Sequence, residues 1–142
     1  MTVEIGGPEP IRILIAEYSE EWPRRFEVER ARIAGALGVA DVHDEGVHDA
    51  LVDAGYVLRV EEPDHRMFRT PARDVHVHIY ELGSPEIDKY LRFRDRLRTN
   101  ADDRARYEAR KRELAARGEW ANMQDYADEK TGVVLDILGR DR

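Results

Sequence analysis

Two histidines stand one residue apart in the segment DVHVHIY, which runs from Asp74 to Tyr80. Successive side chains of a β-strand point to opposite faces, so His76, His78 and Tyr80 would share one face of a sheet. The valine and isoleucine residues between them would form an apolar face that packs against helices. The alternation therefore predicts a strand with one buried face and one polar face at which a ligand can bind.

A metal site is the first chemistry that paired histidines suggest. Zinc in proteins uses three or four protein ligands, and this strand offers two. The other histidines are His43, His48 and His65, and their spacing does not tie them to the strand. The chain has no cysteine, which excludes thiolate ligands and disulfides. The sequence therefore favours an ordinary histidine pair over a metal site.

A phosphate site is the second chemistry considered for this sheet. The neighbouring strand segments contain Arg59, Arg66 and Arg69, and guanidinium groups form strong paired hydrogen bonds with phosphate oxygens. The competing interpretation is a solvated sheet face, which the strand residues taken by themselves favour.

Two lysines fall within the apolar stripes of predicted helices. Lys111 follows Tyr107 by one helical turn, and Lys130 follows Tyr126 by the same spacing. A charge on a protein-facing side is costly unless it is paired or meets a ligand. The alternative is that the lysine stems pack against the protein while their ammonium groups reach water.

The helix before these two carries Arg94, Asp95 and Arg98 beside Leu97. Ligand binding and internal pairing, such as Asp95 with Arg98, both account for this pattern. If a ligand or phosphate site is present, its candidate residues are His76, His78, Arg66, Arg94, Arg98, Lys111 and Lys130.

Periodicity and turn residues predict the elements that must hold these side chains. Strands are expected over 11–15, 56–60, 66–70 and 74–80, and a short helix over 47–54 ends at Gly55. Three further helices are expected from Ser84-Pro85 to Arg98, over 101–116 and over 122–138. An earlier helix should begin after Ser19 as its N-cap, and its apolar stripe should contain Trp22, Phe26, Ile33 and Leu37.

This arrangement predicts one domain over residues 1–142, with a loose tail over 1–10, a strand-rich half over 11–80 and three helices over 84–138. The fold class is α+β, with a small mixed or antiparallel sheet covered by helices on one side and a C-terminal helical part.

Composition and charge limit the classes of partner that are expected for the protein. The formal net charge is -7, which argues against nucleic acid, because phosphate-backbone binding needs a basic surface. No apolar run is long enough for a membrane span, and the N-terminus lacks the pattern of a signal peptide. A cytoplasmic location is therefore expected.

Five segments carry a resemblance to a known family. They are EYSEEWPRRFEVERARI, AGYVLRV, HRMFRTPARDVHVHIYELGSPEIDKYLRFRDRLR, YEARKRELAARGEW and DYADEKTGVVLDIL. In this order they resemble the GrpB-like family, bacterial proteins of the nucleotidyltransferase-fold superfamily, and they cover most of the chain. The residues that recur in the family fall on Trp22, Phe26, Arg66, Phe68, His76, His78, Arg94, Asp95, Leu97, Arg98, Tyr107, Lys111, Tyr126 and Lys130.

One part of the family pattern has no counterpart. The resemblance implies a Gly-Ser loop that cradles phosphate and a following strand whose carboxylates hold Mg²⁺. Such a segment should lie at Ala40–Asp41, where the chain passes directly from one flank to the other. A deletion, an omitted segment and substitution by other groups are the three explanations, with Asp41, Asp44, Glu45 and Asp49 as the substitutes. Mg²⁺ is expected only if the acidic segment is present.

Two functions follow from these observations. The first is a nucleotide or phosphate-ligand binder, with nucleotidyl transfer only if the missing segment exists. The alternative is a non-catalytic scaffold or regulatory binding protein that keeps the fold. A third class uses the histidines as general acid and base. Loss of a central strand would leave open sheet edges, so pairing with another copy of the chain or with a partner is expected.

Overall fold

The structure is a computed structural model that describes residues 3–38 and 44–140. In chain order its elements are β1 (Val3–Glu4), β2 (Ile11–Arg12), α1 (Trp22–Leu37), α2 (Asp44–Asp53), β3 (Val57–Glu62), β4 (His65–Arg69), β5 (His76–Tyr80), α3 (Pro85–Thr99), α4 (Ala101–Ala116), β6 (Glu119–Trp120) and α5 (Met123–Gly139). The predicted α+β class is confirmed. None of the helices in these two ranges is long and apolar enough to cross a membrane.

The chain forms two compact units. The first contains Met1–Gly6 and Glu17–Glu81, and the second contains Gly7–Ala16 and Leu82–Arg142. The prediction of a single domain stays a prediction.

The first unit contains an antiparallel sheet in the order β1-β3-β4-β5. Phe68 of β4 lies opposite Val77 of β5 and is fully buried. It forms a core with Leu51 and Tyr56, against which Ile33 and Leu37 of α1 also pack. The helices thus cover the sheet face that carries Val77 and Ile79, and the histidines lie on the other face.

Two expectations about the start of this unit are wrong. Ser19 is not the N-cap of α1, which begins at Trp22 after Glu21, although the Ser19 hydroxyl accepts a hydrogen bond from the Glu21 amide at 3.2 Å. Trp22 and Phe26 are exposed instead of forming the buried stripe. The reason is that only the C-terminal turns of α1, through Ile33 and Leu37, reach the core.

The N-terminal segments also differ from expectation. Val3–Glu4 of the expected loose tail forms β1, which pairs with β3. The strand expected over 11–15 is limited to Ile11–Arg12, because its partner β6 has two residues, and the ladder ends where that partner ends.

The second unit packs α3, α4 and α5 against one another and adds the β2–β6 pair. Each helix begins at a polar cap, as predicted for Ser84, whose hydroxyl accepts from the Glu86 amide at 3.4 Å. Leu114, Tyr126, Ile137 and Leu138 are buried in this unit. Gly55, the predicted end of α2, and Gly118, which follows α4, have φ of 98° and 96°, a conformation that favours glycine.

Candidate functional site

The histidine face of the sheet follows the predicted alternation. His76 lies opposite Arg69, and His78 lies opposite Met67, with both histidines exposed. Tyr80 lies opposite His65, so His65 belongs to the same face. His65 was not among the predicted site residues. The two-residue turn between Glu62 and His65 could have indicated that Glu62 and His65 face each other.

A chain of hydrogen bonds crosses three strands on this face. His65 Nδ1 lies 2.6 Å from Glu62 Oε2, and His65 Nε2 lies 3.0 Å from His78 Nδ1. The His65 ring stacks on Tyr80 with centroids 4.4 Å apart and on His78 at 5.2 Å. Glu62, His65 and His78 are therefore held as one connected group, which is called the histidine chain below.

Desolvation and neighbouring charges keep His76 and His78 neutral at pH 7. Desolvation, followed by the neighbouring His65 and His76, lowers the pKa of His78 from 6.5 to about 4, although Glu62 opposes this shift. Desolvation and the charge of Arg69 also lower the pKa of His76. Neutral imidazoles accept protons and hydrogen bonds, but they do not attract a phosphate by charge.

Arg66 is on the opposite face of the sheet from the histidines. It lies opposite Ile79 in the β4–β5 ladder, and its Nε lies 3.5 Å from Glu61 Oε1. The structure therefore brings His76 and His78 together, but it does not bring Arg66 to them.

Each of the two predicted lysines lies over a tyrosine ring in the second unit. Lys111 Nζ lies 4.7 Å from the centroid of the Tyr107 ring, and Lys130 Nζ lies 4.4 Å from that of Tyr126. Both side chains are half-buried. Desolvation lowers the pKa of Lys130, and the nearby charge of Lys111 adds to the effect. No described carboxylate pairs with either ammonium group.

The absence of a carboxylate partner contrasts with the arginines of the same helices. Arg110 of α4 lies 2.8 Å from Glu113 and 2.9 Å from Glu129. Arg106 of α4 forms an ion pair with Asp136 of α5. Acidic side chains are thus available along α4 and α5, and they pair with arginines instead of with Lys111 or Lys130.

Arg94 and Arg98 are exposed on α3. Arg94 Nη2 lies 2.8 Å from Asp95 Oδ1, so Asp95 forms an ion pair within α3 with Arg94, whereas the pairing considered from the sequence was with Arg98. The hydrogen bond from Arg94 lowers the pKa of Asp95, and the charges of Arg94 and Arg98 add to this effect. The grouping of Arg94 and Arg98 with the lysines and histidines into one site stays a prediction.

A cavity of about 220 Å³ lies in the second unit. Its aromatic wall is formed by Tyr90, Phe93 and Tyr107, and its charged lining residues are Lys89 and Lys130. Phe93 and Tyr107 meet edge to face with ring centroids 5.1 Å apart. The cavity therefore places a poorly neutralised ammonium group beside aromatic rings.

The described residues do not supply a metal site. Across residues 3–38 and 44–140 no group of three or more histidine and acidic side chains could hold a metal ion. Of the considered substitutes, Asp44, Glu45 and Asp49 lie on α2 and not on a strand. Asp41 and the junction at Ala40–Asp41 lie outside the described residues. The carboxylate pair that the resemblance implies for Mg²⁺ is thus not found in the described part.

Sequence comparison identifies relatives of this chain. The family described as GrpB protein matches residues 36–140. A UPF0157 protein of Streptomyces coelicolor is 44% identical, with 98% of this chain and 90% of the relative covered. UPF0157 proteins of Halalkalibacterium halodurans and Deinococcus radiodurans are 44% and 34% identical, covering 73% and 72% of this chain and 55% of each relative. No solved structure matches the chain.

The Streptomyces comparison also bears on the missing segment. It extends over 168 aligned positions, whereas this chain has 142 residues, so at least 26 of those positions have no residue of this chain. The relative therefore contains internal sequence that is absent here, as the family resemblance leads one to expect.

Proposed function

This chain belongs to the GrpB protein family, and we propose that its helical unit binds a phosphate-bearing ligand, with a nucleotide as the favoured class. The observation that carries the proposal is the pair of half-buried lysines, Lys111 and Lys130, which have no carboxylate partner among the described residues.

The energetics of the lysine pair favour an anion. Two like charges in a partly desolvated place repel each other, and the lowered pKa of Lys130 reflects this cost. The tyrosine rings offset it by about 0.5–2 kcal/mol per lysine. A phosphate group would bring the opposite charge, and a hydrogen bond to a charged group contributes about 1.5–3 kcal/mol. Lysine is a common phosphate ligand because its ammonium acts as a compact charge.

The adjacent cavity favours a nucleotide over free phosphate. Its aromatic wall, with Tyr90, Phe93 and Tyr107, suits a flat ring, and base–aromatic stacking contributes about 1–3 kcal/mol. Lys130 lines the same cavity, so one ligand could contact both the aromatic wall and the ammonium group.

Nucleotidyl transfer is part of the proposal only for a molecule that contains the segment missing at Ala40–Asp41. The family resemblance assigns both the phosphate-cradling loop and the Mg²⁺ carboxylates to that segment. For the chain with its present sequence we propose binding without transfer. A scaffold or regulatory binding protein without a ligand is the alternative.

Thermal unfolding with each nucleoside triphosphate, with and without Mg²⁺, tests this function. Ligand that binds the folded state raises the melting temperature, by an amount set by RT ln(1 + [L]/Kd). We expect a rise for the native protein and a roughly 10- to 100-fold weaker Kd in Lys111→Gln and Lys130→Gln, because each loses one charged contact.

Arg112→Gln is the matched control. Arg112 follows Lys111 directly on α4, is exposed and pairs with Glu108 at 2.8 Å, so its replacement changes the net charge equally. We expect native affinity in this variant. The proposal would be contradicted by equal affinity in the native protein and both lysine variants, or by an unchanged melting temperature with every triphosphate. Either result would favour the scaffold or regulatory binding protein.

A further inference from the structure

The histidine chain on the sheet is separate from the lysine pair in both residues and chemistry. It links Glu62, His65 and His78 through contacts of 2.6 Å and 3.0 Å. His65 is 10% exposed at its side chain, whereas His78 is exposed. A carboxylate, an inner imidazole and an outer imidazole thus stand in line.

The hydrogen-bond pattern restricts where the ring protons lie. A carboxylate accepts only, so His65 Nδ1 carries the hydrogen that it donates to Glu62. A His65 ring with its single hydrogen on Nδ1 has an acceptor at Nε2, which lies 3.0 Å from His78 Nδ1 and can receive its hydrogen. The remaining nitrogen, His78 Nε2, has a free lone pair and no hydrogen-bond partner among the described residues.

We propose that Glu62, His65 and His78 form a proton relay in which His78 Nε2 accepts a proton from a ligand hydroxyl group or from water. The O–H bond breaks and its electron pair stays on the oxygen, while an N–H bond forms at His78 Nε2. The His78 Nδ1 proton then passes to His65 Nε2. The transferred charge ends on His65, whose Nδ1–H faces the Glu62 carboxylate.

The relay explains why the outer histidine is backed by a second one. Desolvation and two neighbouring histidines disfavour a charge on His78, whose pKa is about 4, so a proton held there alone would be lost at neutral pH. Transfer to His65 places the charge 2.6 Å from a carboxylate. Strand pairing by itself does not require a carboxylate and two imidazoles in this order.

The surroundings favour a hydroxyl-bearing ligand over an anion. Among the described strands, the other charged or titratable groups on this face are Glu4 of β1, Arg69 of β4, and His76 and Tyr80 of β5. His76 is neutral at pH 7, and Arg66 is on the opposite face of the sheet. A hydroxyl group of an alcohol, sugar or bound water suits the free lone pair of His78 Nε2.

Nuclear magnetic resonance of the whole chain labelled with ¹⁵N-histidine tests the relay. At pH 7 we expect long-range ¹H–¹⁵N spectra to show hydrogen on Nδ1 of both His65 and His78. On acidification we expect His78 to gain a proton in a step that depends on the His65 ring beside it. In Glu62→Gln we expect this step at a pH lower by about one unit or more, because an opposite charge near His65 and His78 is lost.

His76 is the internal control, because it lies on the same strand face and the histidine chain does not include it. Its titration should change less in Glu62→Gln than that of His78, because desolvation and Arg69, and not Glu62, shift the pKa of His76. Hydrogen on His78 Nε2 at pH 7, or a His78 titration that is independent of His65, would overturn the relay.

Reactivity gives a second measurement that does not depend on the lysine site. Diethyl pyrocarbonate acylates a neutral imidazole at its free nitrogen, and peptide mass spectrometry locates the product. We expect acylation of His78 to be several-fold slower in His65→Gln, with the rate at His76 unchanged. Equal rates at His78 would contradict the proposal, whatever the outcome of nucleotide binding, which involves Lys111 and Lys130.

Discussion

Asp103 is a buried carboxylate at which three arginines of the helical unit converge. It is 1% exposed, and Arg96 Nε lies 2.6 Å from it, while Arg106 and Arg140 lie at 3.6 Å and 3.5 Å. Arg106 Nη1 is buried and makes no hydrogen bond, so it depends on the charge of Asp103. These contacts join α3, α4 and the end of α5 through one side chain.

We expect Asp103→Asn to lower the free energy of unfolding by about 2–4 kcal/mol, because Arg96 loses its buried carboxylate partner, whereas Arg106 and Arg140 keep Asp136. The arginines are partly exposed and can reach water, which keeps the loss below that of a fully buried pair. Urea unfolding followed by circular dichroism measures it.

Asp102→Asn is the control for this substitution. Asp102 is the exposed neighbour in the first turn of α4, where a carboxylate contributes about 0.3–1 kcal/mol through the helix dipole. A loss in Asp103→Asn no larger than that in Asp102→Asn would show that the buried cluster does not stabilise the unit.

At the scale of elements, the helices of the second unit depend on their first residues. Asn100 Oδ1 accepts from the Asp103 amide and Asn122 Oδ1 from the Asp125 amide, each at 2.9 Å. These bonds satisfy amides that have no partner within the helix. They also set the position at which α5 begins, and hence the register of Tyr126 and Lys130 along it.

We expect Asn122→Ala to destabilise the protein by about 1 kcal/mol, because the capping oxygen is lost. Asn122→Ser keeps an oxygen at the same place and should retain most of the native stability. The midpoints of urea unfolding compare the variants. Equal losses in the serine and alanine variants would exclude capping as the role of this side chain.

At the scale of the whole molecule, an apolar surface on α1 remains exposed. Trp22 is 41% exposed, and Phe26, one turn later on the same side of α1, is 63% exposed. The exposed ring of Tyr18 meets the Trp22 ring edge to face. The helix ends just before the junction at which the family resemblance places the missing segment. We propose that a second copy of the chain covers this surface, since exposed apolar clusters mark interaction sites.

Sedimentation equilibrium over a range of concentrations tests this pairing. We expect the mean mass to rise with concentration in the native protein and to rise less in Phe26→Gln. Leu82→Gln is the control, because Leu82 is 97% exposed and lies outside α1. A monomer mass at every concentration would contradict self-association.

The sequence by itself determined most of the elements and the orientation of several faces. Helix caps, turn glycines and the alternation in β5 are local properties, so Ser84, Gly118 and the face shared by His76 and His78 could be predicted from them. The alternation along β4 could also have placed Arg66 away from the histidines, because Arg66 is two residues from the buried Phe68 and shares its face. The predicted buried stripe of α1 was wrong at Trp22 and Phe26, because the burial of these side chains depends on which other segments pack beside the helix.

Only the tertiary structure decided which side chains are partners. His65 meets His78 through the register between β4 and β5, and Lys130 comes near Lys111 through the packing of α5 on α4. Long charged side chains reach several partners, so the sequence could not show that Arg110 pairs with Glu129, while neither lysine has a carboxylate partner among the described residues. The physical reason is that local patterns set the direction of a side chain, whereas its contacts depend on segments distant in the chain.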